Sequence, residues 1–120
     1  MKIVIPGTLP GLNEYTEANR KNRFAGAKMK KEIEQYLCAA IKNNKPERLE
    51  QPARITLLWV EKDRRRDKDN IAFAKKFVFD ALVKSGVLLG DGWGYIDSFT
   101  DTFAVDAENP RLEITIERAV

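Results

Sequence analysis

Histidine is absent from the 120-residue chain, and cysteine occurs once, as Cys38. Because histidine is the commonest general base, its absence excludes nucleophilic sites of the Ser-His or Cys-His kind. A lone cysteine excludes an intrachain disulfide and is typical of a reducing compartment. Cys38 lies in an apolar helical pattern and is predicted to be a core residue. Catalysis by this chain would therefore depend on carboxylates, lysine or a bound metal ion.

Long hydrophobic runs are also missing. The apolar run before Pro6 is much shorter than the core of a signal peptide, and no segment approaches the length that spans a membrane. We therefore expect a cytoplasmic protein without membrane contact. The length suits a single domain over residues 1–120. The formal net charge of +3 is compatible with a polyanionic partner but does not require one.

The charges are unevenly distributed along the chain. Residues 20–31 contain six Lys or Arg and no carboxylate, whereas residues 90–118 contain seven Asp or Glu and two Arg. The cations of the first stretch, hereafter the basic segment, are Arg20, Lys21, Arg23, Lys28, Lys30 and Lys31. Lysines in the first turn of a helix oppose its dipole, which favours an anionic partner. The alternative is a solvated face whose lysines pair with Glu32 and Glu34.

Hydrophobic periodicity predicts an α/β (α+β) fold, a small mixed sheet with two main helices in the order β-α-β-α-β-β. The predicted strands are Met1–Pro6, 53–61, a strand running into Phe103 and a final strand; the predicted helices are 27–41 and 70–86. Residues 8–26 are predicted to form a long extended loop. Loops of this length are usually functional or disordered, and its basic residues with Tyr15 favour a functional loop.

The stretch RRRDKDN, residues 64–70, joins the second strand to the second helix. Asp69 is predicted to be the helix N-cap, a common structural role for a carboxylate. The cap leaves Asp67 and the preceding cations unexplained. Two carboxylates at a strand-to-helix junction, in a chain without histidine, suit a hard cation such as Mg²⁺ or Mn²⁺.

Further candidates lie along the second helix. On a continuous helix, Asp69, Lys76 and Asp80 would share one polar side, while Lys75 would point to the edge of the apolar stripe. Lys76 would then be either the surface ion-pair partner of Asp80 or a cation that stabilises charge on a phosphate.

The turn after the helix contains Asp91 between two glycines. Asp91 is either a plain turn residue or a third metal ligand, and the spacing does not decide between these roles. Trp93 and Tyr95 are predicted to pack as a small aromatic cluster, with stacking on an unpaired base as the alternative.

The segment DRRRDKDNIAFAKKFVFDALVKSGVLLGD, residues 63–91, resembles the core motif of RusA-type Holliday junction resolvases, the crossover junction endodeoxyribonucleases. The opening IPGTLPGLNEY and the closing RLEITIE fit the same family. The resemblance implies a homodimer that makes paired nicks across four-way junction DNA with Mg²⁺, for which Mn²⁺ could substitute. It also implies a role in recombination and repair and a phage or prophage origin.

By matching positions, the resemblance assigns metal binding and catalysis to Asp67, Asp69 and Asp91. It also implies a supporting catalytic lysine. Many members place this lysine where the present chain has Phe73, because the spacer here is three residues longer. Counting back from FDAL gives Lys76, and Lys75 is the alternative.

The residues next to this motif are expected to contact the DNA. Arg64, Arg65 and Arg66 would attract phosphates, because cations beside a polyanion release its counterions. Asn70 and Lys75 complete the predicted DNA-contacting set.

Two other functions agree with the same residues. One is a module that binds branched or single-stranded DNA without cutting it, in which the acids are a helix cap and a turn. The other is a metal-dependent nuclease that acts on flaps or forks.

Overall fold

The computed structural model describes residues 1–119 and contains a four-stranded sheet in the order β1-β4-β2-β3. The strands are β1 (Lys2–Pro6), β2 (Ala53–Glu61), β3 (Ile96–Val105) and β4 (Arg111–Arg118). β2 and β3 are parallel, whereas β4 is antiparallel to both β1 and β2. The predicted mixed sheet is therefore confirmed, and β2 has the predicted bounds.

Helices cover one face of this sheet. They are α1 (Leu12–Lys21), α2 (Arg23–Asn43), α3 (Lys68–Ala72) and α4 (Lys75–Lys84). Alternate residues of β2 are buried, because successive side chains of a strand point to opposite faces. The core joins these β2 residues to buried positions of the other strands and of α2 and α4: Ala53, Ile55, Leu57, Trp59, Ile3, Ile5, Leu112, Ile114, Leu37, Ile41, Val78 and Leu82. Cys38 is half-buried against this core.

The predicted extended loop over residues 8–26 is wrong, because α1 occupies its centre. Ala18 is the only buried residue of this helix, so its apolar stripe is too small to be recognised in the sequence. Asn22 separates α1 from α2 and caps α2, since its Oδ1 accepts the Ala25 N–H at 2.8 Å. Consequently α2 begins at Arg23, four residues before the predicted start at residue 27.

The predicted second helix is interrupted after Ala72. Across the break the hydrogen bonds follow the tighter i to i−3 pattern, from Ala74 N–H to the Ile71 carbonyl and from Phe77 N–H to the Ala74 carbonyl. Phe73 and Phe77 form an edge-to-face pair here, with centroids 5.7 Å apart. The prediction of one continuous helix from Asp69 to Asp80 is therefore wrong, although Lys76 and Asp80 do lie on the same side of α4 as predicted, with Lys76 Nζ 3.2 Å from Asp80 Oδ1.

The ends of these two helices also differ in part from the prediction. Asp67, not Asp69, occupies the N-cap position of α3, and its side chain makes no capping hydrogen bond. Gly86 does follow the end of α4, with a φ of +78° that favours glycine.

The two edge strands of the sheet differ in whether their outer backbone groups are hydrogen-bonded. On the outer side of β1, Asn44 Oδ1 accepts the Val4 N–H at 3.0 Å, and Asn44 Nδ2 donates to the Val4 carbonyl at 3.0 Å. On the outer side of β3, no further strand pairs with it within residues 1–119. No helix in this described part of the chain is both long and apolar enough to cross a membrane.

Candidate active site

An open cavity of about 710 Å³ lies where β2 ends and α3 begins, and we call it the β2–α3 cavity. Its acidic lining residues are Glu61, Asp63, Asp67 and Asp69, and the end of β3 contributes Phe103, Ala104 and Val105. Because β2 and β3 are parallel, their carboxyl ends meet at this cavity. This is the edge at which α/β proteins commonly bind ligands.

The aspartates of the DxD motif stand at the start of α3. Both Asp67 and Asp69 are exposed, and Asp69 Oδ1 accepts the N–H of Asn70 at 2.9 Å. Lys68 lies between them and turns towards Phe103, with its Nζ 5.5 Å from the ring centroid. The two carboxylates therefore present oxygen atoms to the cavity while the intervening lysine covers its aromatic wall.

The three arginines before the motif separate into two groups. Arg66 turns inwards, where its Nε lies 2.9 Å and its Nη2 2.8 Å from Glu61 Oε1. Arg66 Nη1 also donates to the Leu9 carbonyl at 2.9 Å. By contrast, Arg64 and Arg65 are exposed, and Arg65 lies 3.6 Å from an Asp63 carboxylate oxygen. Of the three arginines, Arg64 and Arg65 are thus exposed, whereas Arg66 holds the loop.

Asn70 connects the candidate site to the beginning of α1. Its Oδ1 accepts the backbone N–H of Asn13 at 2.9 Å, which satisfies one of the free donors of that helix. Gly11 permits this contact, because a Cβ at Gly11 would lie 2.6 Å from the same oxygen. The amide oxygen of Asn70 is therefore committed to an intramolecular role.

Asp91 lies outside the β2–α3 cavity. It lines a second cavity, the α2–α4 cavity, together with Lys30, Glu34, Asp80, Val83 and Lys84. Lys76 Nζ is 3.2 Å from Asp80 Oδ1 and 3.8 Å from Asp91 Oδ2. The chain therefore brings Lys76 to Asp91 and brings Asp67 to Asp69, but as two separate groups.

Oxygen donors suited to a hard cation are present in the β2–α3 cavity. Within residues 1–119, however, no group of three or more acidic or cysteine side chains is close enough to hold a metal ion. Mg²⁺ commonly uses one or two protein carboxylates and fills its remaining positions with water and substrate phosphates. The pair Asp67 and Asp69 fits that pattern by its chemistry.

The two adjacent lysines of α4 have different environments. Lys75 forms an ion pair with Asp101 of β3 and lies 4.5 Å above the Phe99 ring. Asp101 also accepts the Nε1–H of the buried Trp59 at 2.9 Å. Lys76 remains 68% exposed, whereas 22% of the Lys75 side chain is exposed. Lys76 is thus the more accessible of the two candidate lysines.

The basic segment is exposed along the end of α1 and the first half of α2. Lys28 pairs weakly with Glu32 at 4.0 Å, as the solvated-face alternative requires. Glu34 instead contacts Lys84 of α4 at 2.7 Å, and this hydrogen bond raises the pKa of the Lys84 ammonium. Most of the basic segment therefore remains available to an anionic partner.

Several residues of the site were not predicted. Glu61 follows Ile55, Leu57 and Trp59 in the alternation of inward-facing residues of β2. A charged residue at such a buried position indicates that a partner of opposite charge is near, and this could have identified Glu61 from the sequence. Asp101 gave no such signal, because its partners Trp59 and Lys75 are distant in the sequence.

The predicted packing of Trp93 and Tyr95 as an aromatic cluster is wrong. Trp93 is 101% exposed and Tyr95 is 42% exposed. Ring contacts form elsewhere: Tyr15, Phe73 and Phe77 cluster where α1 meets the break between α3 and α4, and Phe79 of α4 packs on Phe99 of β3.

Comparison with known proteins gives one family. The family model described as endodeoxyribonuclease RusA matches residues 12–117, which is nearly the whole chain. No curated protein matches the chain at significant similarity.

Proposed function

This chain belongs to the RusA endodeoxyribonuclease family, and from that premise we propose that it is a Mg²⁺-dependent, structure-selective endonuclease for four-way DNA junctions. The proposed product is a pair of symmetric nicks that resolves the junction, within one RusA-like domain over residues 1–120. The observation that carries the proposal is that Asp67 and Asp69 line one cavity beside exposed arginines. Both aspartates lie within the residues that the family model matches.

The proposed metal ligands are Asp67 and Asp69, with Asp91 as the candidate third. When bound, Mg²⁺ would activate water and neutralise charge on the scissile phosphate. Mn²⁺ would serve as a substitute, since it prefers the same oxygen ligands. Asp91 pairs with Lys76 outside the β2–α3 cavity, so both residues would have to approach this cavity to act on the phosphate held by Asp67 and Asp69.

The chain's own cations have distinct proposed tasks. Arg64 and Arg65 contact phosphates that flank the cleavage site, because both are exposed beside the carboxylates. Lys76 is the proposed catalytic lysine, which stabilises charge that develops on the phosphate. The basic segment holds a more distant part of the same DNA by its positive charge.

A homodimer is proposed on grounds of symmetry. The scissile strands of a four-way junction are related by a twofold axis, whereas one chain has a single DxD motif. Two copies related by the same axis would place one acid pair at each scissile strand.

Cleavage of an end-labelled four-way junction tests the proposal. Wild-type protein, Asp67→Asn and the exposed control Asp97→Asn are incubated with the junction, a fork, a flap or a linear duplex, in Mg²⁺ or in EDTA. We expect paired nicks on the junction from the wild type and the control, and at least a hundredfold loss in EDTA and in Asp67→Asn.

Three outcomes would contradict the proposal. Full cleavage by Asp67→Asn would remove that aspartate from the site. Cleavage of flaps and forks instead of junctions would change the substrate. Junction binding without any nick would favour a DNA-binding module, which the separation of Asp91 from Asp67 and Asp69 also favours.

A further inference from the structure

Trp93 projects fully into solvent. Its exposure of 101% contrasts with 3% for Trp59, the other tryptophan of the chain. Indole is a large, mostly apolar group that proteins usually bury at least in part. A fully exposed indole therefore adds nothing to the packing of this chain and suggests contact with a ligand.

The turn that carries Trp93 is fixed without help from the indole. The Gly92 carbonyl accepts the N–H groups of Tyr95 and Ile96, both at 3.0 Å. The Tyr95 ring lies against Gly90, where an added Cβ would come within 2.7 Å of the ring. The indole is thus presented on an ordered turn, which lowers the entropy cost of using it in binding.

The position of the turn connects Trp93 to the proposed chemistry. Trp93 follows Asp91 by two residues, and Asp91 lies 3.8 Å from the exposed Lys76. Lys84, with 62% of its side chain exposed, lines the same α2–α4 cavity as Asp91. The turn thus carries an exposed aromatic ring two residues after an aspartate that is paired with an exposed lysine. Proteins bind single-stranded nucleic acid by combining such rings, which stack on bases, with cations that contact phosphates.

We propose that Trp93 recognises the branch point of the DNA substrate by stacking on a base that is exposed there. The inference rests on the proposed function, because only a branched or distorted substrate offers an unstacked base. A continuous duplex keeps its bases stacked, so Trp93 would distinguish a junction from a duplex.

A second copy of the chain is a less suitable occupant. Interface tryptophans usually lie in a packed patch whose rim excludes water. Trp93 instead stands between Gly92 and Gly94, where an added Cβ would meet no atom within 4 Å. A flat ring on an open ridge suits insertion beside a base.

Tryptophan fluorescence in EDTA tests the inference without cleavage. Trp59 is buried and gives a constant background, so changes in emission report on Trp93. We expect four-way junction DNA to quench the emission at saturation, and linear duplex to quench it much less.

Substitutions distinguish stacking from simple apolar contact. Trp93→Leu keeps an apolar side chain without a π face and should weaken junction binding by about 5- to 150-fold while duplex binding is unchanged. Trp93→Phe should retain most of the affinity. Tyr36→Leu, at an aromatic residue of α2 that is 45% exposed and lies outside the basic segment, is the matched control and should bind both DNAs as the wild type does.

The outcomes separate this inference from the proposed function. If Trp93→Leu binds junctions like the wild type, or if its cleavage is unchanged, stacking is excluded and the nuclease proposal stands. If sedimentation shows that Trp93→Leu converts a dimer into monomers, the indole belongs to a protein interface and the inference is overturned. If the wild type neither binds nor cuts branched DNA, the proposed function itself fails.

Discussion

Neighbouring arginines of this chain have opposite roles. Arg64 points to solvent, while Arg66 joins Glu61 at the end of β2 to the Leu9 carbonyl before α1. The loop that carries Asp67 is therefore held on two sides by one guanidinium. This explains part of the dense charge before the DxD motif, because one of its three arginines is a positioning residue.

Arg66→Ala should destabilise the protein by about 2–3 kcal/mol in urea unfolding. The substitution leaves the carboxylate of Glu61, which is 11% exposed, without its partner. The double variant Arg66→Ala with Glu61→Gln should recover part of this loss, because a neutral amide is less costly to bury. Arg64→Ala is the control and should change stability by less than about 0.5 kcal/mol. Equal effects of the two arginine substitutions would contradict the positioning role.

The sequence indicated which candidate residues share one loop, but not how distant candidates are arranged. The strand-to-helix junction identified Asp67 and Asp69, because a short motif forms within one loop. The separation of Asp91 from that pair depends on how a turn folds back on α4. The pairing of Lys75 with Asp101 depends on the parallel register of two strands. Such distant contacts leave no local pattern in a single sequence.

Secondary structure was predictable where an element buries a continuous apolar stripe. β2 alternates buried and exposed residues and was predicted with its observed bounds. α1 buries only Ala18 and is instead maintained by its contacts with Asn70 and with the aromatic rings at the break. The break after Ala72 places Phe73 and Phe77 against Tyr15 of α1. The cause of the break is packing between elements, which the helical spacing of apolar residues in the sequence does not reveal.

Protonation of Glu113 at low pH should weaken the contact between β1 and β4. Hydrogen bonds from Lys2 at 2.6 Å and from Arg111 at 2.7 Å lower the pKa of the Glu113 carboxyl. A lowered folded-state pKa means that the stabilisation is complete above the unfolded-state pKa, about 4.3, and is lost as the pH falls through the folded-state value.

Glu113→Gln should lower the free energy of unfolding by about 1 kcal/mol at pH 7, and this difference should shrink below about pH 4. Denaturant unfolding across this pH range measures the effect. The exposed Glu117 of the same strand provides the control, since Glu117→Gln should show little change. A difference that is independent of pH would contradict the assigned cause.

At the scale of the whole molecule, the modest net charge conceals a basic region on α1 and α2. Replacing Lys28, Lys30 and Lys31 together by Ala should weaken binding to every DNA. The slope of the logarithm of the binding constant against the logarithm of the salt concentration should become less steep by about 2–3. Titrations at several salt concentrations measure this slope. Lys42→Ala, at an exposed residue near the end of α2, should leave it unchanged. An unaltered slope in the triple variant would favour the solvated-face interpretation of these lysines.

The unequal edges of the sheet limit how the molecule can assemble. Asn44 occupies the backbone groups of Val4, so a further strand cannot be added beside β1 at that point. A further strand could instead pair with the outer side of β3, which is unpaired in the described residues. Proteins usually protect edges of this type. Among residues 1–119, the outer side of β3 is the edge that stays open, and two copies that pair through β3 would each use it. An assembly formed by sheet extension would therefore end at two chains and could not grow into a fibre.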